Sequence, residues 1–232
     1  MALTIRQTPF QLPALADTLR DYYLSPAEFR RAICSFEGDD LAQFLRAYVM
    51  FGIPFAFQQR PLLWEAVRGW IGRRLDVRAD HVHLLGSGRT GFSTSPDTFG
   101  RTFSETSDLD FSVIAPGLFA DCERDCIRFA ADVIANGIRP SNPTQASYWR
   151  SNCQFIRDNL PNGFLDPWKV PSLHDKYPIC AKTNNEASIL VDRLLKTGGP
   201  VAHKASFRVY ANWQSFSDRV RTNYRAIRDR LR

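Results

Sequence analysis

"LLGSGRTGFSTSPDTFGRTFSETSDLDFSVI", residues 84–114, is the stretch that decides how this chain folds. Its first half contains Gly86-Ser87-Gly88-Arg89-Thr90-Gly91, a G-x-G-x-x-G spacing. Its second half ends in Asp108-Leu109-Asp110, two carboxylates one residue apart inside an apolar run. Two readings compete. The glycines could form a dinucleotide-binding turn, or the bend and the acids could together form a metal–phosphate site.

A dinucleotide turn requires its last glycine to open a crossover helix that packs on a parallel sheet. Residues 92–108, FSTSPDTFGRTFSETSD, are rich in Ser and Thr, are broken by Pro96 and Gly100, and show no three–four apolar period. The crossover helix has no place there. In the second reading HVHLLG (81–86) is a short strand leading into a small Gly86-Ser87 turn, where backbone N–H groups and a hydroxyl approach phosphate oxygens. DLDFSVI (108–114) is a second strand, and strand alternation puts Asp108 and Asp110 on one face. Two residues span roughly 6.5–7 Å along a strand. That spacing lets both carboxylates converge on divalent ions about 3.5–4 Å apart. Without a cation such neighbours repel, and one takes a proton. Arg89 and Arg101, close in sequence to the bend, are candidates to balance phosphate charge, Arg89 foremost.

Outward from this stretch, Ser25-Pro26-Ala27-Glu28 is a helix-start signal. Two amphipathic segments follow, split by Gly38. PLLWEAVRGWIGRRL (61–75) is a helix with Leu62, Trp64, Val67, Trp70, Ile71 and Leu75 on or near one stripe. In the 81–86 strand Val82 and Leu84 share a face, and His81 and His83 are expected on a half-exposed one. CERDCIRFAADVIANG (122–137) is a helix ended by Asn136-Gly137. Six prolines between 138 and 186 predict broken short elements and long loops there. ASILVDRLLK (187–196) is a helix, KASFRVYANW (204–213) a strand, and 215–232 a C-terminal helix whose arginines form a solvated face.

The bulk numbers fit this picture. The 232 residues, 44% hydrophobic and 23% charged, suit one core with an attached helical segment. The boundaries expected are 1–75 for an N-terminal helical region, beginning with a capping segment at 1–24, and 76–232 for the core and its basic helix. A net charge of +6 favours anionic ligands. No apolar run is long enough for a membrane span or a signal peptide, which predicts a cytoplasmic location without membrane partners. Five cysteines without disulfide-like spacing are read as free thiols; Cys122 and Cys126 share one helix side.

Gly86-Ser87, followed after an insertion by Ser107-Asp108-Leu109-Asp110-Phe111, resembles the signature of the DNA polymerase β-like nucleotidyltransferase superfamily, a G-S turn and then an acid–apolar–acid strand. The match covers about 30 residues. The fold class expected is therefore α/β (α+β in stricter usage): a small mixed β-sheet with an N-terminal helical region and a C-terminal helix. The resemblance implies Mg²⁺ (or Mn²⁺) held by the catalytic acids Asp108 and Asp110, and a nucleoside triphosphate such as ATP held by Gly86, Ser87 and Arg89. It further implies NMP transfer to a hydroxyl of a nucleotide, a nucleic acid or a protein. Antiphage systems and toxin–antitoxin pairs, where a partner protein is expected, are settings the superfamily includes.

One departure stands beside the match. Active members usually carry a third carboxylate on a later strand, and the strand at 205–212 contains none; Arg208 and Tyr210 stand where it is sought. Glu186 and Asp192 are the remaining candidates, although Asp192 on a helix suits a salt bridge to Arg193 or Lys196. The missing acid supports an alternative, a catalytically degenerate nucleotide-binding or regulatory module.

Overall fold

The computed structural model describes residues 14–173 and 175–232, so residues 1–13 of the expected capping segment, and His174, lie outside the described residues. α1 (Pro26–Ser35) begins with the capping box its spacing predicts. Glu28 N–H donates to the Ser25 hydroxyl oxygen, and Ser25 N–H donates to the Glu28 carboxylate at 2.9 Å. α2 (Gly38–Leu45) runs into one wide turn, Arg46–Met50, where Phe51 N–H reaches back to Arg46 O. α3 (Pro61–Leu75) has the predicted bounds and buries Trp64, Val67, Ile71 and Leu75, whereas Leu62 is 83% exposed and lies off the stripe.

Four strands form one sheet: β1 (Val82–Leu85), β2 (Asp108–Ile114), β3 (Phe164–Leu165) and β4 (Lys204–Tyr210), in the order β1-β2-β4-β3. β1 and β3 run antiparallel to their neighbours, and β2 pairs with β4 in parallel. Between them lie α4 (Gly86–Thr90), α5 (Pro116–Ile134), α6 (Pro143–Asn159) and α7 (Pro178–Lys196), and α8 (Trp213–Leu231) closes the chain. Eight α-helices and a four-stranded mixed sheet, among the described residues, make this an α+β protein. No described helix is long and apolar enough to cross a membrane.

The span 138–186 corrects the sequence reading. Instead of broken elements it carries the 17-residue α6, the short edge strand β3 and the start of the 19-residue α7. Pro143 and Pro178 occupy the first helical turn, where a missing N–H costs nothing, so they start helices rather than interrupt them. Pro116 does the same for α5, which begins six residues before the predicted start.

Strand pairing sorts the side chains into two faces. One carries Val82, Leu84, Leu109, Phe111, Val113 and Phe207, packed against Trp64, Val67 and Ile71 of α3 and Leu190 and Leu194 of α7. Val209 and Leu165 extend that face over α5 and α6, where Cys122, Cys126, Cys153 and Cys180 are buried as free thiols. The opposite face changes character along its length. Its Ile114, Tyr210 and Phe164 end is covered by Phe216, Val220 and Tyr224 of α8 and by Phe29, Ile33 and Phe44 of α1 and α2. The 1–75 region therefore shares both sheet cores rather than holding one of its own. The other end of that face carries Asp108, Asp110, Lys204 and Ser206, and lies open apart from the exposed Trp168 ring near Lys204.

Candidate active site

A cavity of about 440 Å³ opens at that polar end, lined on one side by Gly86 and Ser87 and on the other by Asp108 and Asp110. The β1–β2 register creates the meeting, because Leu85 pairs with Asp110 and the chain turns at Gly86 directly afterwards. Gly86 has φ +62, and a Cβ there would stand 3.2 Å from Asp110 Oδ2. Glycine is required both by the backbone conformation and by the close approach of the carboxylate. α4 is a single turn of five residues, ended by Gly91 at φ +89. With β1 and β2 antiparallel and no crossover helix between them, the dinucleotide arrangement is absent.

The insertion after α4 is a compact loop. Phe92 bridges Thr102, Ser93 N–H donates to Arg101 O at 2.7 Å, and Phe103 N–H donates to Gly91 O at 2.8 Å. Phe92 is buried against Phe29 and Phe99, which anchors the loop base. Its polar tip then faces the cavity with Ser93, Thr94, Ser95, Thr98 and Arg101. α8 fixes the loop from behind through Thr94–Tyr224 (3.2 Å between hydroxyls) and an Asp97–Arg230 ion pair. The terminal arginines are also partly engaged: Arg232 reaches Glu37 at 3.2 Å, and Arg228 lies 3.8 Å from the same carboxylate.

Arg89 is corrected as a nucleotide-binding residue. It is 1% exposed, and its guanidinium donates to Ile53 O at 2.9 Å, to Ala47 O at 3.1 Å and to Phe51 O, with Tyr22 beneath it. Two residues along a helix turn the side chain by about 200°. Ser87 and Arg89 therefore point in opposite directions, and Arg101 is the loop arginine that lines the cavity.

The third-acid candidates are also resolved. Glu186 is 2% exposed and receives two bonds from Arg74, at 2.8 and 2.6 Å, joining α7 to α3 on the other side of the sheet. Asp192 is exposed on α7. On β4 the residues paired with Asp108 and Asp110 are Lys204 and Ser206. Lys204 Nζ lies 3.4 Å from Asp108 Oδ2, and the Ser206 hydroxyl donates to Asp110 Oδ1 at 3.0 Å. Asp166, directly after β3 on the same face, was missed by the sequence reading; burial raises its carboxyl above the usual range, Arg208 and Lys169 oppose this, and Asp110 adds to it. His203, whose N–H donates to Ser107 O at 2.9 Å, completes the cavity lining.

Among the described residues no group of three His, Cys, Asp or Glu side chains is placed to hold a metal. The carboxylate pair still suits one hard divalent ion. It offers only oxygen donors, Asp110 is exposed enough to leave room for coordinated water, and Gly86 removes the side chain that would crowd it. Comparison with protein-family models, with curated proteins and with solved structures returned no match.

Proposed function

We propose that the cavity binds a nucleoside triphosphate together with Mg²⁺ or Mn²⁺ and transfers its NMP moiety to a hydroxyl acceptor. The observation that carries this reading is the meeting of the Gly86-Ser87 bend and the Asp108/Asp110 pair in one polar cavity of about 440 Å³. That volume falls in the range of small-molecule sites, roughly 300–1,000 Å³. Gly86, Ser87, Arg101 and the loop hydroxyls hold phosphate oxygens; Asp108 and Asp110 hold the cation. When bound, the divalent ion neutralises charge on the phosphates and on the leaving pyrophosphate. The acceptor oxygen forms a bond to the α-phosphorus while the bond to the bridging oxygen breaks, and pyrophosphate leaves with that electron pair. The acceptor proton is released to solvent water, to which the cavity is open. Catalysis here is positioning and charge balance.

Incubation with Mn²⁺ and α-labelled nucleoside triphosphates tests the reading. Label is expected to appear on an acceptor, nucleic acid or protein, and to fall more than about 100-fold in Asp108→Ala, since ligand loss exceeds the 10–100-fold cost of disturbing a ligand's support. A specific observation favours a second reading, a nucleotide-binding module without turnover: Lys204 and Ser206 occupy the strand positions beside the two acids, and neither is a carboxylate. Nucleotide retained by the wild-type protein with no label transferred to any acceptor selects it.

A further inference from the structure

Two-metal phosphoryl-transfer sites place paired cations between their carboxylates. Here one of those charges is already supplied by the chain. The parallel register sets Lys204 beside Asp108, and its ammonium stands 3.4 Å from Asp108 Oδ2. The same nitrogen lies 5.7 Å from the centre of the Trp168 ring, so an indole and a carboxylate both attract it. Trp168 is itself placed by the Asp166 side chain, which accepts its backbone N–H. Asp110 accepts a hydrogen bond from the neutral Ser206 hydroxyl and forms no ion pair among the described residues, with the buried Arg208 guanidinium acting on it only at longer range. A second divalent ion, on the Lys204 side of Asp108, would stand beside the ammonium, and like charges at such a distance repel.

We infer that Lys204 is a built-in cation that replaces one of the two metal ions, so that the site takes a single divalent ion with its nucleotide. This rests on the proposed nucleotide reading, but fails separately from it. The probe is Mn²⁺ with a non-hydrolysable ATP analogue. Bound Mn²⁺ is counted by electron paramagnetic resonance of the free ion, and bound nucleotide by equilibrium dialysis. The wild-type chain is expected to hold one Mn²⁺ per bound nucleotide, Lys204→Arg one, and Lys204→Met two. Lys204 is half exposed beside the cavity residue Asp108, and nucleotide retention by the variants reports an intact site. Two Mn²⁺ per nucleotide in the wild type, or one in Lys204→Met, overturns the inference and leaves the nucleotide reading standing. Failure of the wild type to retain the analogue overturns both.

Discussion

Arg89 and Arg101 belong to one loop region, and their surroundings give them opposite tasks. Arg101 is exposed at the cavity, while Arg89 is enclosed by backbone carbonyls at the end of the Arg46–Met50 turn. A helix end leaves carbonyl oxygens without intrahelical partners, and a cation there both bonds them and complements the dipole. Burial lowers the Arg89 pKa, with the Tyr22 and Tyr23 hydroxyls opposing that change. Arg89→Met removes the donor from three part-buried carbonyl oxygens, of which Ile53 O keeps the Tyr23 hydroxyl at 3.2 Å, at about 1–3 kcal/mol for each acceptor left wholly unpaired. The expected result is an unfolding free energy, from urea denaturation, lowered by about 2–4 kcal/mol, with unchanged affinity of the folded fraction for a non-hydrolysable nucleotide. Arg101→Met is expected to do the reverse, keeping stability and weakening nucleotide binding about tenfold, the worth of a charge-assisted contact at an exposed site. Isothermal titration on both variants decides between these assignments. Sequence proximity to Gly86-Ser87 could not separate the two arginines, because rotation about α4 decides which of them faces the cavity.

At the scale of elements, β2 and α3 were legible to the residue, since each has a clear apolar period and distinct breaks at both ends. α6 and the first half of α7 were hidden by the prolines that start them, while the second half of α7 matches the helix read at 187–196. What α7 needs at its own start was hidden more deeply. Its cap residue, Tyr177, makes no side-chain cap bond; instead Asp125 of α5 accepts from Ile179 N–H at 2.8 Å and Cys180 N–H at 2.9 Å. A cap supplied by another helix leaves no local motif to read. Asp125 is 7% exposed, so Asp125→Ala leaves two N–H groups unpaired in an apolar cluster. The expected loss is about 2–4 kcal/mol, above the ordinary cap value of about 1 kcal/mol. Asp125→Asn, which keeps an acceptor oxygen, is expected to lose less than half of that. Thermal unfolding of the two variants orders them, and equal losses would mean that the carboxylate does not act as the cap.

At the scale of the whole molecule, the acids and the bend were visible in sequence because both follow from strand alternation and a glycine turn. The cover over the rest of that face was not, because it comes from α8 folding back over it. His83 records the consequence. Expected on a half-exposed face, it is 7% exposed, stacked on Phe216 at 5.5 Å and flanked by Trp213 at 5.1 Å, with Nδ1 3.1 Å from Met50 O. It thus joins the N-terminal helical region, the sheet and the C-terminal helix at one imidazole. Burial lowers its pKa from 6.5 to about 4; Arg68 and His81 push the same way, while the Met50 carbonyl and Asp80 oppose them. The folded value lies below the unfolded one, so the unfolded chain binds more protons between those two pH values. The stability contributed by neutral His83 is therefore complete above pH 6.5 and is lost as pH falls toward 4. Between pH 7.5 and 5 the loss is about 2 kcal/mol on this linkage. His83→Phe keeps a flat ring against Phe216 and removes the titration. Unfolding free energies from urea denaturation at the two pH values, at fixed ionic strength, are expected to show wild type losing about 2 kcal/mol more than the variant on acidification. Parallel losses in the two proteins would assign the acid sensitivity of the fold to other groups.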